Sequence, residues 1–426
     1  MKRRTFIKTA AATAAATPIV LGGIPVRAQS PIAMLAQMPA ENDRILIIAQ
    51  LFGGNDGLNT LIPALDDEYY RIRPTIAVPK EDAWNKVGDI FLHPSLELGS
   101  KGGIARMLEV GSLAIVQGVG YDNPNLSHFR STDIWLSGIN DSDPSARLDT
   151  GWIGRYLEER YPGFPLDLPE HPLAIQFGGF SLTLISSKGR MGIEVTNPSG
   201  QKGVGSQLDT LDPDSTGTAY AYEYAFIADI AGRSNKYAQA VKDAYAVGLP
   251  QLKGEYASDG FAQQMKSVGA LIAGGMKTKV YVVSMGGFDT HVTQQYEGNT
   301  GTHPSLLHRF SDAVAQLHDD LVRLGQADRV VGITVSEFGR RPFENGSLGT
   351  DHGTATPMFL FGKHVQGGSY GPLPSLTDLD DGNLKMTTDF RRVYATVIKE
   401  WLGYSGTAAV LKGQFEPLPI FPTARS

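Results

Sequence analysis

Residues 44–51, Arg-Ile-Leu-Ile-Ile-Ala-Gln-Leu, form a nearly unbroken apolar run that stops at Phe52-Gly-Gly-Asn-Asp56-Gly57. A strand with one wet face alternates polar and apolar residues. A run that does not alternate is buried on both faces, as in the centre of a parallel sheet. The same pattern recurs downstream. Residues 279–284 close on Met285-Gly-Gly-Phe-Asp289-Thr-His291, and 329–335 close on Ser336-Glu337-Phe-Gly-Arg340. A short helix over 103–109 is expected to lead into a strand over 113–116, which runs out into Gly118-Val-Gly-Tyr. A helix over 127–136 follows.

The helix signals sit between these runs. Phe310, Val314, Leu317, Leu321 and Leu324 step by four, three, four and three, so a helix over 305–324 presents one apolar stripe to a sheet and stops at Gly325. A last strand is expected at 357–361 and a closing helix at 390–401. Alternating strands and helices predict an α/β fold: a mostly parallel sheet with helices on both faces, three layers in all. Between 173 and 275 the rhythm changes to two short strand-like runs, Pro/Gly/Ser/Asp-rich loops and helices at 219–246 and 261–273. That stretch reads as an inserted cap within a domain of 44–426.

The N-terminus reads as an address. Lys2-Arg3-Arg4-Thr5-Phe6-Ile7-Lys8, an apolar run over 9–24 and the small-x-small site Val26-Arg27-Ala28 have the layout of a twin-arginine export signal. The apolar run is shorter than the ~20 residues a membrane span needs. Residues 1–28 are therefore expected to be removed, 29–43 to form a linker, and the product to be periplasmic or extracellular with the twin-arginine machinery as its transient partner. Cleavage removes five basic residues and no acidic one, which takes the formal net charge from −6 to −11. Nothing so acidic invites nucleic acid. With no cysteine in the chain, thiol catalysis and thiolate metal sites are excluded.

Ligands of open α/β sheets bind beyond the carboxyl ends of the strands, so polar residues just past those ends carry the chemistry. Asn55 and Asp56, Asp289 and His291, and Glu337 and Arg340 meet that condition. Asp351 and His352 lie in the loop that enters the last strand. Carboxylates and imidazoles converging from separate strands suit a divalent metal, Zn, Mn, Mg or Ca, as one ion or two. Ser127 adds a hydroxyl at a helix start, where developing negative charge is favoured. Each has a plain alternative: Asp56 as a turn former, Ser127 as an N-cap, Glu337 and Arg340 as an ion pair, Asp351-His352-Gly353 as a surface turn. His93, His171, His308 and His318 read as solvated, His303 as a structural residue at a helix start, and His364 as a reserve ligand.

Taken together, Phe52-Gly-Gly-Asn-Asp-Gly-Leu-Asn59, Leu126-Ser-His-Phe-Arg130 with Trp135, Gly286-Gly-Phe-Asp-Thr-His291, Ser336-Glu-Phe-Gly-Arg340, Thr350-Asp-His-Gly-Thr354 and Asp389-Phe-Arg-Arg-Val-Tyr394 resemble an uncharacterised bacterial family, often exported by the twin-arginine route. That family is placed in the alkaline phosphatase/sulfatase/phosphoglycerate mutase-like superfamily. The resemblance implies an alkaline phosphatase-like fold with Asp56 as a first-strand metal ligand and Ser127 as nucleophile. It also implies an aspartate with a nearby histidine after a later strand, matched by Asp289 and His291, although here they stand two apart where four is usual. Asp351-His352 resembles the superfamily's Asp-His pair by letters. By topology the strand-end position belongs instead to Glu337, with Phe338 where a metal histidine would stand and His352 as the single histidine entering the last core strand.

The expectation is an exported, metal-dependent hydrolase of a small phosphate or sulfate ester. Ser127 attacks, Arg340 clamps the anion, and Asp56, Asp289, His291, Glu337, Asp351 and His352 supply the metal ligands. Its rivals are a secreted binding or scaffold protein that has lost catalysis and a transferase using the same residues.

Overall fold

The computed structural model describes residues 19–21, 24–26, 42–143, 145–179, 181–201, 235–296 and 299–422. Two units separate, 1–43 and 44–426. In the first, Ile19–Leu21 pairs antiparallel with Ile24–Val26, and the rest of the expected signal lies outside the described residues. Among the described residues no helix is long and apolar enough to cross a membrane.

The second unit is built on one sheet. Its strands are β1 (Ile45–Leu51), β2 (Leu113–Gly120), β3 (Ala174–Phe177), β4 (Ile193–Val195), β5 (Val280–Met285), β6 (Val330–Val335), β7 (Thr356–Phe361), β8 (Gly368–Tyr370) and β9 (Thr388–Asp389). The order is β4-β3-β5-β1-β6-β7-β2-β8, with β9 also on β2. All neighbours run parallel except that β7 is antiparallel to both β6 and β2. The fold is thus the expected α/β type with a mostly parallel sheet.

Successive side chains of β1 serve opposite cores, which is why its run does not alternate. Ile45, Ile47 and Ala49 join the core under α2 (Gly103–Glu109), α5 (Gly260–Ala273) and α6 (Thr302–Arg323). Leu46 and Ile48 join the core under α3 (His128–Ser137), α4 (Trp152–Arg160) and α7 (Phe390–Thr396). Each such leucine or isoleucine side chain, fully buried, contributes roughly 1.5–3 kcal/mol. A smaller helix, α1 (Asp67–Ile72), lies with the β1 loop.

Three features differ from the sequence reading. Helix α6 starts at Thr302, earlier than expected, because Pro304 sits in the first turn, where no intrahelical N–H is required. The closing helix is α-helical only to Thr396 and continues as a π-turn over Val397–Trp401. The stretch 173–275, expected as a cap, supplies β3 and β4 to the sheet and α5 to its face, and 202–234 lie outside the described residues.

Candidate metal centre

The carboxyl ends of β1, β2, β5 and β6 share one rim. Because β7 runs the other way, the loop that enters it reaches the same rim. Loop 350–354 is laced there to the end of β6: Gly339 N–H donates to Thr354 O at 2.6 Å, Arg341 N–H to Asp351 O at 2.9 Å, and Gly353 N–H to Gly339 O at 3.0 Å. Thr350 N–H donates to Thr290 O at 3.1 Å, which ties the loop to the end of β5 as well. Asp351 and His352 therefore reach a strand-end site from the entering side.

The loop after β1 approaches closely. A Cβ on Gly53 would lie 2.2 Å from the Asp289 nitrogen, and one on Gly54 would lie 2.5 Å from the Phe338 ring. Both glycines have positive φ, so no other residue suits this crossing. Phe338 is buried and supports two imidazoles, with ring centroids 4.9 Å from His128 and 4.6 Å from His352.

Asp289 is the focus of the rim. Its Oδ1 lies 3.0 Å from His291 Nε2, 3.1 Å from His352 Nε2 and 2.6 Å from Arg340 Nη2, and its Oδ2 lies 3.5 Å from His128 Nε2. The partial burial of its carboxyl would raise its pKa. The Arg340 hydrogen bond and charge, with the histidines, overcome that and hold it near 2.

Each imidazole is anchored through its other nitrogen. His352 Nδ1 is 2.9 Å from Leu126 O and must donate, because a carbonyl only accepts. His128 Nδ1 is 2.8 Å from Glu337 Oε1, and His291 Nδ1 is 3.1 Å from Asp351 Oδ1, so both donate to carboxylates. All three Nε2 atoms are left facing Asp289. Imidazoles that ligate metals are oriented in this manner. His291 Nε2, His352 Nε2 and Asp289 Oδ1 form a triangle with edges of 3.0, 3.0 and 3.1 Å. Ligands about 2.0 Å from a tetrahedral ion stand roughly 3.3 Å apart, so the donor set and its spacing fit a divalent ion.

The remaining expected site residues have other employment. Asp56 is fully buried and paired with Arg73, which follows α1, at 2.6 and 3.0 Å; Gln294 also donates to it. Burial pushes its carboxyl up, and the Arg73 charge and hydrogen bonds bring it below the usual range. Both oxygens are thus committed to protein donors rather than to a metal. Arg340 is buried too, and all three guanidinium nitrogens are spent. Nε donates to Gly54 O, Nη1 to Thr350 O, and Nη2 to Gly53 O, Phe288 O and Asp289. It positions Asp289, and its side chain is fully buried among these acceptors. Glu337 and Asp351 each hold a histidine, and the second Glu337 oxygen, Oε2, is buried without a hydrogen-bond partner. Glu337 Oε1 also accepts Gly53 N–H at 2.8 Å.

Ser127 is exposed at the N-cap of α3, where its side chain makes no cap hydrogen bond. The residue after it, His128, is a site residue that the sequence pattern does not mark. The usable signal was its place: the first turn of a helix that follows a strand end is at the rim. Among the described residues, His128, Asp289 and His352 are the cluster with metal-ligand spacing. His93, expected in solvent, is fully buried, accepting Ser95 N–H at Nδ1 and lying 3.2 Å from Gln295 Oε1. His303 is buried, with Nε2 3.0 Å from Asn55 Oδ1, and His364 pairs instead with Asp328.

Among solved structures, the chain is similar to a protein in the alkaline phosphatase superfamily from Vibrio parahaemolyticus, at 10% identity and a TM-score of 0.40, covering 100% of this chain and 80% of that one. It is also similar to Ps i-CgsB in complex with k-i-k-neocarrahexaose, at 12% identity and a TM-score of 0.36, covering 88% and 73%. A third is the PsFucS1 sulfatase from Pseudoalteromonas sp., at 9% identity and a TM-score of 0.38, covering 88% and 71%. None of the curated proteins compared with the chain matches it. The family model described as "Protein of unknown function (DUF1501)" matches residues 202–414, half of the sequence, and takes in Asp289, His291 and His352. The chain belongs to the DUF1501 family.

Proposed function

We propose that this protein is an exported hydrolase of phosphate or sulfate esters that works with one divalent metal ion held by His128, His352 and Asp289, with His291 standing beside Asp289 and His352. The observation that carries this reading is the common orientation of three imidazoles, each pinned at Nδ1 and presenting Nε2 to one carboxylate. Imidazole nitrogens with a carboxylate oxygen form a borderline donor set that suits zinc better than magnesium or calcium. A second ion has no support at Asp56, where the Arg73 guanidinium already supplies the positive charge.

When bound, the ion would act as a Lewis acid toward the ester's oxygens. The protein's own groups divide the other work. Arg340 holds Asp289 in place, and Leu126, Glu337 and Asp351 fix the imidazole tautomers. Ser127 keeps the nucleophile's role in this reading. The first turn of α3, uncapped by its side chain, turns N–H groups toward an anionic ester. Export by the twin-arginine route to the periplasm or beyond is part of the proposal and rests on the arginine pair and cleavage pattern of residues 1–28.

The rival reading, a binding or scaffold protein, draws on the diversion of Arg340 away from any substrate. Elemental analysis of the purified protein and a screen of phosphate and sulfate esters test both. One ion per chain, with turnover abolished in Ser127→Ala, supports the hydrolase. An ion that is bound without turnover of any ester supports the scaffold.

A further inference from the structure

A groove of about 430 Å³ opens beside the candidate metal centre, with His128 and Glu337 at its wall. Helix α3 contributes Phe129, Thr132 and Asp133, the loop after β1 contributes Phe52, and the turn after β5 contributes Gly286 and Gly287. Two features of this lining have no structural explanation. Phe129 is 87% exposed, although its neighbour His128 is built into the cluster. Asp133 is half-buried, yet among the described residues it has neither a hydrogen bond nor an ion pair. The cation that acts on it, Arg130, is spent on the carbonyls of Asp141 and Ala146.

The lining contains no lysine or arginine. A substrate whose far end is anionic would set that charge against Asp133 with nothing to neutralise it. An aromatic face and an unpaired carboxylate together suit an organic cation. The ring quadrupole attracts the cation's positive surface, the carboxylate attracts its charge, and neither demands directional hydrogen bonds. Phe129 and Asp133 stand four apart on α3, hence on the same face of that helix. No side chain fills the space at Gly286, where a Cβ would meet no atom within 4 Å.

We propose that this groove receives a small ammonium group, so that the ester handled at the centre is that of an amino alcohol. Its anionic ester end lies at the imidazoles and its cationic end at Phe129 and Asp133. The proposal rests on the hydrolase reading for the ester end only; the cation site stands on the groove itself.

The test is a calorimetric titration of the zinc-loaded full chain with choline and with its neutral isostere 3,3-dimethylbutan-1-ol. Choline should bind about tenfold more tightly or better, the size expected for a cation–π contact joined to a carboxylate. Asp133→Asn should erase most of that preference, and Phe129→Ala should weaken choline by about fivefold. Both variants should retain zinc content and the wild-type circular dichroism spectrum. Equal affinity for the two probes, no binding of choline, or a preference that survives both substitutions would overturn the proposal. Failure of the parent reading looks different: ester turnover and bound metal would be missing while the preference for choline persisted.

Discussion

The Nε2 atoms of His291 and His352 lie 3.0 Å apart, and each ring already donates its Nδ1 hydrogen elsewhere, to Asp351 and to the Leu126 carbonyl. Two nitrogen lone pairs do not face each other at hydrogen-bond distance unless something positive lies between them. A metal ion held by these rings would satisfy both, and because a ligating imidazole must be neutral, zinc affinity should fall as pH is lowered. A chelator competition assay run at pH 8 and at pH 5.5 checks this. Equal affinity at the two pH values would remove the imidazoles from the ligand set.

The anchors of the imidazoles can be tested apart from the ligands. Asp351 is exposed and contributes to the site only by holding His291 and Asn345. Asp351→Ala should weaken zinc binding about 10- to 100-fold, the usual effect of losing an outer partner, with little loss of stability. A chelator competition assay gives the first quantity and urea unfolding the second.

Asp56 and Arg73 make a prediction of the opposite kind. Removing one member leaves a buried charge unpaired, so Asp56→Asn should cost about 3–5 kcal/mol in urea unfolding. Metal content should stay at the wild-type value in whatever fraction folds. A loss of one bound ion per chain would restore Asp56 to the ligand set.

Acid should act on the fold through buried imidazoles. Burial lowers His303 to about 4 and His93 to about 3, below the ordinary value of 6.5. The unfolded chain then binds more protons than the folded one between those limits. Stability is full above about pH 6.5 and falls as pH drops toward 4, at roughly 1.4 kcal/mol per pH unit for each proton. His303→Gln should flatten that slope in unfolding curves taken from pH 7 to 4.5, even if it lowers stability at neutral pH.

Gly53→Ala should be among the most damaging single-methyl changes in the protein. The new carbon would meet the Asp289 nitrogen at 2.2 Å with φ at +122°, so the β1 and β5 loops must separate. A loss of at least about 2 kcal/mol is expected. Zinc affinity should fall with it, since Asp289 is carried on the displaced loop.

The sequence was most legible where burial is two-sided. An unbroken run such as Ile45–Leu51 has one physical explanation, and its glycine stop marks the rim. The direction of β7 was not legible, because a six-residue apolar strand has the same composition whichever way it runs. Asp289, His291 and His352 could be picked out because their loops follow or precede strong strands. His128 was hidden behind Ser127, which looked like the reactive member of the pair. The roles of Asp56 and Arg340 depend on groups far away in sequence: Arg73, and carbonyls at 53, 54, 288 and 350. No local spacing announces such partners.

The reversal of β7 ties the site to the strand's register. His352 stands four residues ahead of Thr356, and from Met358 onward alternate side chains enter opposite cores: Met358 and Leu360 on one face, Phe359 and Phe361 on the other. An extra residue inserted between His352 and Thr356 must either push the imidazole off Leu126 or slide the strand by one, turning each of those four side chains toward the wrong layer. Insertions before Asn345 face no such choice. Length variation in this part of the chain should therefore be confined to one side of the histidine, a constraint on permissible gaps and not on residue type.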